Sequence, residues 1–360
     1  MMLQKLPGRA HEPVLWKLCF FIYAGIALIV FLNSTYPVLR DSIESTVSFQ
    51  AAEGVGIWDA PRYHQYAEMV KTGGTEFILG LFGRREINLL PPAFLLLLLQ
   101  NNPIFVFCFN VLVLYASLFS LLKYYASDDK CKIFFLTLIN PFIFYLIPAI
   151  NKEITSLASI LFLATYIVSH RKKHVLLSLL FAFLARYQLV LIIVSFLFLK
   201  QVVSYRKRLI AIISYVCILS ILVPRFDLLP ETDIVKELQT ASSTGLVPLL
   251  NDMAEKHYLF FLVFIPKILF NFYGNIYEAS LEAFVSPYLY SSLLFLIITF
   301  LTFLKKHYRL QNDLYLLLLL YVIPMSVTPF IHHRYFLPIY PLLVILYVQR
   351  RKDLKGVSPL

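Results

Sequence analysis

The first apolar run of this chain, residues 14–32, is long enough for a helix to cross a bilayer and carries one charged residue, Lys17. Similar runs recur as far as residue 348, so that 59% of the 360 residues are hydrophobic and only 15% are charged. A soluble domain has about 25% charged residues, and it could not solvate this much apolar surface. The excess must face lipid, and the sequence therefore predicts an all-α polytopic membrane protein.

Basic residues fall in clusters between the apolar runs and give the chain a net charge of +11. Because short loops rich in lysine and arginine remain in the cytoplasm, these clusters orient the chain with both termini inside. Their placement explains the positive charge without a nucleic-acid partner. The clusters lie around residues 5–17, 123–132, 171–173, 200–208, 305–309 and 350–355.

The basic clusters predict about ten transmembrane helices in a single membrane domain, 1–360, with several crossings shorter than a perpendicular helix needs. Two outer segments, about 33–102 and 224–285, mix polar and apolar residues and are expected to form juxtamembrane or partly inserted helices. The crossings are expected near residues 14–32, 103–122, 133–150, 154–169, 174–186, 187–199, 209–223, 286–304, 314–330 and 336–348.

One apolar segment, residues 174–199, has basic clusters on both flanks and Arg186 in its middle. A single helix would put the two basic ends on opposite sides and leave Arg186 at the bilayer centre, which is costly. A short hairpin instead keeps both ends inside and lifts Arg186 to the outer face. The sequence therefore favours the hairpin.

Polar side chains on the outer side are candidates for a functional site, because burying them is expensive. The first group is Asp59, Arg62, Tyr63 and His64, at the start of a helix that Pro61 can begin. Asp59 is interpreted either as the cap of that helix or as a general base at the membrane surface.

The second and third groups are the charged tip Lys152-Glu153 and the hairpin tip Arg186-Tyr187. The charged tip is either an ordinary exterior turn or a phosphate-binding element that orients the first group. Arg186 either donates to carbonyls at helix ends or faces an outward cavity and binds an anion there.

The fourth group is His333, Arg334 and Tyr335, preceded by His332. Adjacent histidines point to different faces of a helix and are poor chelators as a pair, so no metal site is expected here. Arg334 is interpreted as an anion ligand, because arginine gives bidentate contacts to phosphate.

The order of these features resembles the GT-C superfamily of membrane glycosyltransferases, especially the branch with protein mannosyltransferases and the bacterial aminoarabinose transferase of lipid A. The resemblance covers roughly the first 200 residues and the end of the chain. The branch usually has a lysine before the Pro-Pro, where this chain has Leu90, and an aspartate in the second outer loop. The residues that carry the resemblance are Asp59 and Tyr63 in Asp-x-x-x-Tyr, Pro91-Pro92, the charged tip Lys152-Glu153, and Arg334, Tyr335 and Pro338 in Arg-Tyr-x-x-Pro.

The resemblance implies an inverting transferase that takes a sugar from a polyprenyl-phosphate-linked donor and passes it to a glycan or lipid acceptor. The reaction would occur at the outer, periplasmic face of a bacterial inner membrane, as part of cell-envelope polysaccharide biosynthesis. Asp59 would match the catalytic aspartate, Glu153 the acidic residue of the second outer loop, and Arg186 a basic residue facing the donor phosphate. A divalent cation, Mg²⁺ or Mn²⁺, could bridge the two carboxylates, although nothing in the sequence requires it.

Two other functions remain open from the sequence. An O-antigen or capsule repeat-unit polymerase would need arginines to hold a polyprenyl-diphosphate-linked oligosaccharide, and Arg186, Arg225 and Arg334 would serve. A non-enzymatic flippase or transporter of lipid-linked sugars would instead need polar groups along the crossings, whereas the mid-helix positions here are mostly Leu, Ile and Phe.

Overall fold

The computed structural model describes residues 12–44, 60–83, 89–148, 152–202, 204–226, 246–277, 287–305, 308–327 and 333–349. Within these ranges the regular secondary structure is helical and no strand occurs, so the predicted all-α class is confirmed there. A π-helical turn, Phe31–Thr35, joins the first two helices, and a 3₁₀ helix, His333–Ile339, precedes the last. The helices are α1 (Glu12–Val30), α2 (Tyr36–Glu44), α3 (Ala60–Gly83), α4 (Leu90–Leu98), α5 (Pro103–Leu122), α6 (Ser127–Leu138), α7 (Pro141–Leu146), α8 (Lys152–Ser169), α9 (Lys172–Ala185), α10 (Tyr187–Lys200), α11 (Tyr205–Phe226), α12 (Leu246–Lys256), α13 (Phe260–Tyr277), α14 (Pro287–Leu304), α15 (Asp313–Met325) and α16 (Tyr340–Val348).

In the described part of the chain, 3 helical stretches are long and apolar enough to cross a membrane: Leu15–Arg40, Pro103–Leu122 and Lys152–Ser169. The first runs through α1, the π-helical turn and α2 without a break. The chain is thus a helical membrane protein. Its described residues contain fewer helices long enough to span a membrane than the ten or so crossings predicted, several of which were expected to be short. The other apolar helices are shorter: Tyr187–Lys200, Phe260–Leu269, Leu289–Leu304, Asp313–Met325 and Arg334–Val348.

The predicted crossing 133–150 shows why continuous apolar runs overestimate helix length. It is split into α6 and α7 at Asn140-Pro141, because proline disfavours helical backbone in the preceding residue. The side chain of Asn140 then accepts a hydrogen bond of 3.0 Å from the backbone N–H of Phe142 and caps α7. Hydropathy does not register such a break, since the residues on both sides are apolar.

The predicted hairpin at Arg186 is present. Arg186 has extended backbone angles (φ −158°, ψ 133°) between the helical ends of α9 and α10. Lys172, at the start of α9, and Lys200, at the end of α10, line the same cleft. The chain therefore reverses at Arg186, and both ends of the hairpin lie on one side of the protein.

Helix α8 is the centre of the bundle: every side chain from Glu153 to Thr165 is buried. It packs against α5, α9 and the 3₁₀ helix. Ser159 in α8 and Ser178 in α9 each donate a 2.8 Å hydrogen bond to the other's backbone carbonyl, which holds the two helices close together. Because these contacts hold α8 in place, the residues at its two ends have fixed positions.

The described parts of the first predicted outer segment form helices, as expected. Helix α3 begins at Ala60, directly before Pro61, and bends at Gly74, whose φ of 55° is in the left-handed region that glycine adopts without strain. Helix α4 carries Pro91 in its first turn, where proline needs no hydrogen-bond donor. The described residues of the second predicted outer segment include the end of α11 and all of α12 and α13.

The hairpin predicts the sidedness of two exposed positions that flank it. With the 4 native cysteines replaced, Lys173→Cys and Gln201→Cys should react with a membrane-impermeant maleimide from the same side of sealed vesicles. Glu76→Cys, exposed on α3, should react from the other side if α3 is an outer element. Labelling of positions 173 and 201 from opposite sides would contradict the hairpin.

Candidate functional site

Three segments far apart in the sequence converge at the start of α8. Arg186, at the hairpin tip, donates from Nη2 to Oε1 of Glu153 at 2.7 Å. Nε of Arg334, in the 3₁₀ helix, lies 4.0 Å from the same carboxylate oxygen. All three residues are buried, with exposed fractions of 8%, 3% and 6% for Arg186, Glu153 and Arg334. We call this group the arginine cluster.

One aromatic ring contacts both guanidinium groups of the arginine cluster. The ring centroid of Tyr335 is 4.5 Å from Cζ of Arg186 and 5.3 Å from Cζ of Arg334. The hydroxyl of Tyr321 donates a 2.8 Å hydrogen bond to the backbone carbonyl of Tyr335, which fixes the start of the 3₁₀ helix. Contact with a tyrosine ring stabilises a cation without removing its charge, so both guanidinium groups remain positively charged.

Hydrogen-bonding capacity remains at the arginine cluster. Among the described residues, Nε of Arg186 is buried and has no hydrogen-bond acceptor. Arg334 also lies near the carboxylate of Glu153, at 4.0 Å from the oxygen that accepts from Arg186. A buried N–H donor without an acceptor is unfavourable, and an anion bound beside Arg186 would satisfy it.

Tyr63 and Lys152 lie beside the arginine cluster. Nζ of Lys152, which is half-buried, is 5.4 Å from the ring centroid of Tyr63, and that ring is itself buried. The start of α3 is therefore next to the start of α8. Lys152 adds a further positive charge at the same end of the bundle.

The structure thus brings together most of the predicted site residues: Glu153, Arg186, Arg334 and Tyr335, with Lys152 and Tyr63 alongside. Tyr187 is 46% exposed, and none of the contacts described above involves it. Asp59 lies outside the described residues, as do the side chains of Arg62, Arg225 and His333. The catalytic roles of Asp59 and Glu153 remain predictions.

His64 belongs to a second polar network, between α3 and the turn before α5. The Nδ2 amide of Asn101 donates to Oε1 of Glu68 at 3.0 Å, so the Oδ1 atom of Asn101 is free to accept from Nδ1 of His64. This pattern assigns the ring proton to Nδ1 and leaves the lone pair on Nε2. Nε2 is buried without a partner among the described residues.

Sequence reasoning did not identify Tyr321, Asn101 or Glu68. Tyr321 lies within an apolar helix, where it cannot be distinguished from a core residue. Asn101 precedes Asn102 and Pro103, a helix-start pattern that Asn102 fulfils by accepting from the N–H of Ile104. Glu68 lies four residues after His64 and could have been linked to it by helical spacing.

The described residues contain no group of three or more His, Cys, Asp and Glu side chains that could hold a metal ion. The predicted bridge between Asp59 and Glu153 involves one residue outside that part of the chain. Mg²⁺ or Mn²⁺ binding therefore stays a prediction.

No protein-family model, curated protein or solved structure matches this chain. A functional interpretation must come from the geometry described above, together with the motifs in the sequence. The arginine cluster is the part of that geometry with the clearest chemical preference, because it favours a bound anion.

The ion pair predicts a large effect of Glu153→Gln on stability. Removing one partner of a buried pair leaves an uncompensated charge, so the free energy of unfolding in detergent should fall by about 3–5 kcal/mol. The double variant Glu153→Gln/Arg186→Met also removes the positive charge of Arg186 and should be more stable than the single variant. As a control, Glu76→Gln, at an exposed position, should change stability by less than about 0.5 kcal/mol. A single variant as stable as the wild type would contradict this account.

The buried, neutral side chain of His64 leads us to expect that the protein is less stable in acid. Burial lowers the pKa of His64 from 6.5 to about 4, so the folded protein holds this ring neutral while the unfolded chain protonates it below pH 6.5. Above pH 6.5 the ring is neutral in both states, and the free energy of unfolding does not depend on its titration. As the pH falls from 6.5 towards about 4, the free energy of unfolding should decrease by at most about 1.4 kcal/mol per pH unit. Unfolding midpoints between pH 4 and 8 should therefore decline less steeply in His64→Gln, and equal slopes would refute the assignment.

Proposed function

We propose that this chain is a membrane glycosyltransferase that moves a sugar from a polyprenyl-phosphate-linked donor to a glycan or lipid acceptor. The observation that carries the proposal is the buried guanidinium of Arg186, which has an N–H donor without a described acceptor and lies beside a second guanidinium on the same tyrosine ring. Phosphate is an anion that arginine binds well, because its oxygens match the planar donors of the guanidinium group.

The setting favours a phosphate attached to a lipid. The arginine cluster lies at one end of α8, a helix long and apolar enough to cross the membrane. In the proposed topology, with about ten crossings and a GT-C-like arrangement, that end faces the periplasm of a bacterial inner membrane. A lipid-linked donor would then present its phosphate at the depth of the cluster while its tail stays in the bilayer.

The chemistry follows from this placement. The acceptor hydroxyl oxygen attacks the anomeric carbon, and the bond between that carbon and the phosphate oxygen breaks with inversion. The leaving lipid phosphate gains negative charge, which Arg186 and Arg334 stabilise because they are already fixed in position. The acceptor proton passes to a carboxylate base, for which Asp59 is the candidate. Glu153 positions Arg186 through their 2.7 Å hydrogen bond.

A repeat-unit polymerase is the second candidate. Two guanidinium groups on one ring would also fit the larger charge of a polyprenyl-diphosphate leaving group. The two proposals differ in the acidic residue that each requires: the transferase depends on Asp59, whereas the polymerase depends mainly on the arginines.

The test compares Asp59→Asn, Arg186→Lys and wild type in the native host, with membrane levels matched. The readout is the profile of surface glycolipid and of lipid-linked precursors. Arg186→Lys keeps the charge but loses the planar donors, so product formation should fall by about 10- to 100-fold. Asp59→Asn should abolish product if the transferase proposal is correct.

Arg171→Ala is the matched control, because Arg171 is exposed at the opposite end of α9. This variant should keep wild-type product levels. Retained activity in Asp59→Asn with loss in Arg186→Lys would overturn the transferase mechanism and favour the polymerase. Full activity in Arg186→Lys and in Arg186→Ala would remove the phosphate-binding role on which both proposals rest.

A further inference from the structure

A cleft of about 630 Å³ opens at the other end of α8, between the ends of α8, α9 and α10. Tyr166 in its wall lies thirteen residues after Glu153 in the same helix, so the cleft is roughly 20 Å from the arginine cluster along the helix axis. It is therefore a separate site. Its lining residues are Tyr166, Lys172, Val175, Leu176, Leu197, Lys200 and Gln201.

Among the described residues, the ammonium group of Lys200 has no hydrogen-bond acceptor. Nζ lies 4.2 Å from the ring centroid of Tyr166 and 3.9 Å from Oδ2 of Asp313, which is too far for a hydrogen bond. In the described part of the chain, this buried nitrogen has no hydrogen-bond partner. An ammonium carries three donors, and oxygen atoms of a bound anion would satisfy them.

Asp313 neutralises Lys200 only in part, because it has a closer partner. Nη2 of Arg208 is 3.0 Å from Oδ1 of Asp313, and Arg208 also donates to the backbone carbonyl of Leu310 at 2.7 Å. Two cations thus share one carboxylate. Lys172, which is exposed and also lines the cleft, adds a third positive charge.

The cleft has an apolar wall that continues onto the outer surface of the hairpin. Val175, Leu176 and Leu197 line it, and Leu176 is 68% exposed. Beyond the cleft, Phe183 and Phe198 are 68% and 71% exposed on α9 and α10. Exposed aromatic and aliphatic side chains on apolar membrane helices face acyl chains, so the cleft joins a cationic pocket to a lipid-facing surface.

We infer that this cleft binds the phosphate group of an anionic phospholipid, with an acyl chain lying against Leu176. Basic pockets between transmembrane helices at the cytoplasmic side recognise such headgroups, and the positive loops predict that this end of α8 is cytoplasmic. A free phosphate would use the lysines but gain nothing from the apolar wall. This inference is independent of the proposed glycosyltransferase activity.

The test measures binding of dioctanoyl phosphatidylglycerol to delipidated, detergent-purified protein by native mass spectrometry. Dioctanoyl phosphatidylcholine is the zwitterionic comparison, and inorganic phosphate is the competitor without acyl chains. The wild type should prefer phosphatidylglycerol, and Lys172→Gln and Lys200→Gln should each weaken its binding by about fivefold. Millimolar phosphate should not displace the lipid.

Lys173→Gln is the matched control, since Lys173 is exposed on the same helix but does not line the cleft. It should bind phosphatidylglycerol as the wild type does, and Leu176→Ser should bind it more weakly. Because Lys200 has structural contacts, the decision rests on Lys172→Gln, at an exposed position. Unchanged binding in Lys172→Gln, equal binding of the two lipids, or displacement by phosphate would overturn the inference.

Discussion

The ion pair between Arg186 and Glu153 is the interaction on which the arrangement of the central helices depends. Arg186 interrupts an apolar segment at its midpoint, and a guanidinium without a partner at the bilayer centre would be strongly unfavourable. The chain reverses there, and the 2.7 Å hydrogen bond to Glu153 attaches the hairpin tip to the start of α8. The reciprocal hydrogen bonds of Ser159 and Ser178 keep α8 and α9 close along their length.

Both ends of α8 are therefore chemically distinct, although the helix between them is almost wholly buried and mostly apolar. At one end, two guanidinium groups share a carboxylate and a tyrosine ring. At the other end, Lys200 and Arg208 share Asp313 beside an open cleft. Among the described residues, two cationic side chains lie within 4.0 Å of one carboxylate at each end of α8.

Much of the fold could be predicted from local signals. The apolar runs identified a helical membrane protein, the flanking lysines and Arg186 identified the hairpin, and Pro91-Pro92 marked the start of α4. The described residues contain fewer helices long enough to span a membrane than the ten or so crossings predicted, since hydropathy alone does not locate breaks such as Asn140-Pro141. Four of the candidate site residues, Glu153, Arg186, Arg334 and Tyr335, do lie together.

The sequence by itself determined the helical class, the break at Arg186 and the residue types available for a site, because these follow from hydropathy, backbone preferences and the cost of charge in lipid. Only the tertiary structure decided that Arg334, far along the chain, faces the carboxylate of Glu153 and stacks with Arg186 on one ring. It alone also decided that Lys200 is left without a hydrogen-bond acceptor among the described residues. Such pairings depend on packing between distant segments, and residue spacing carries no information about them.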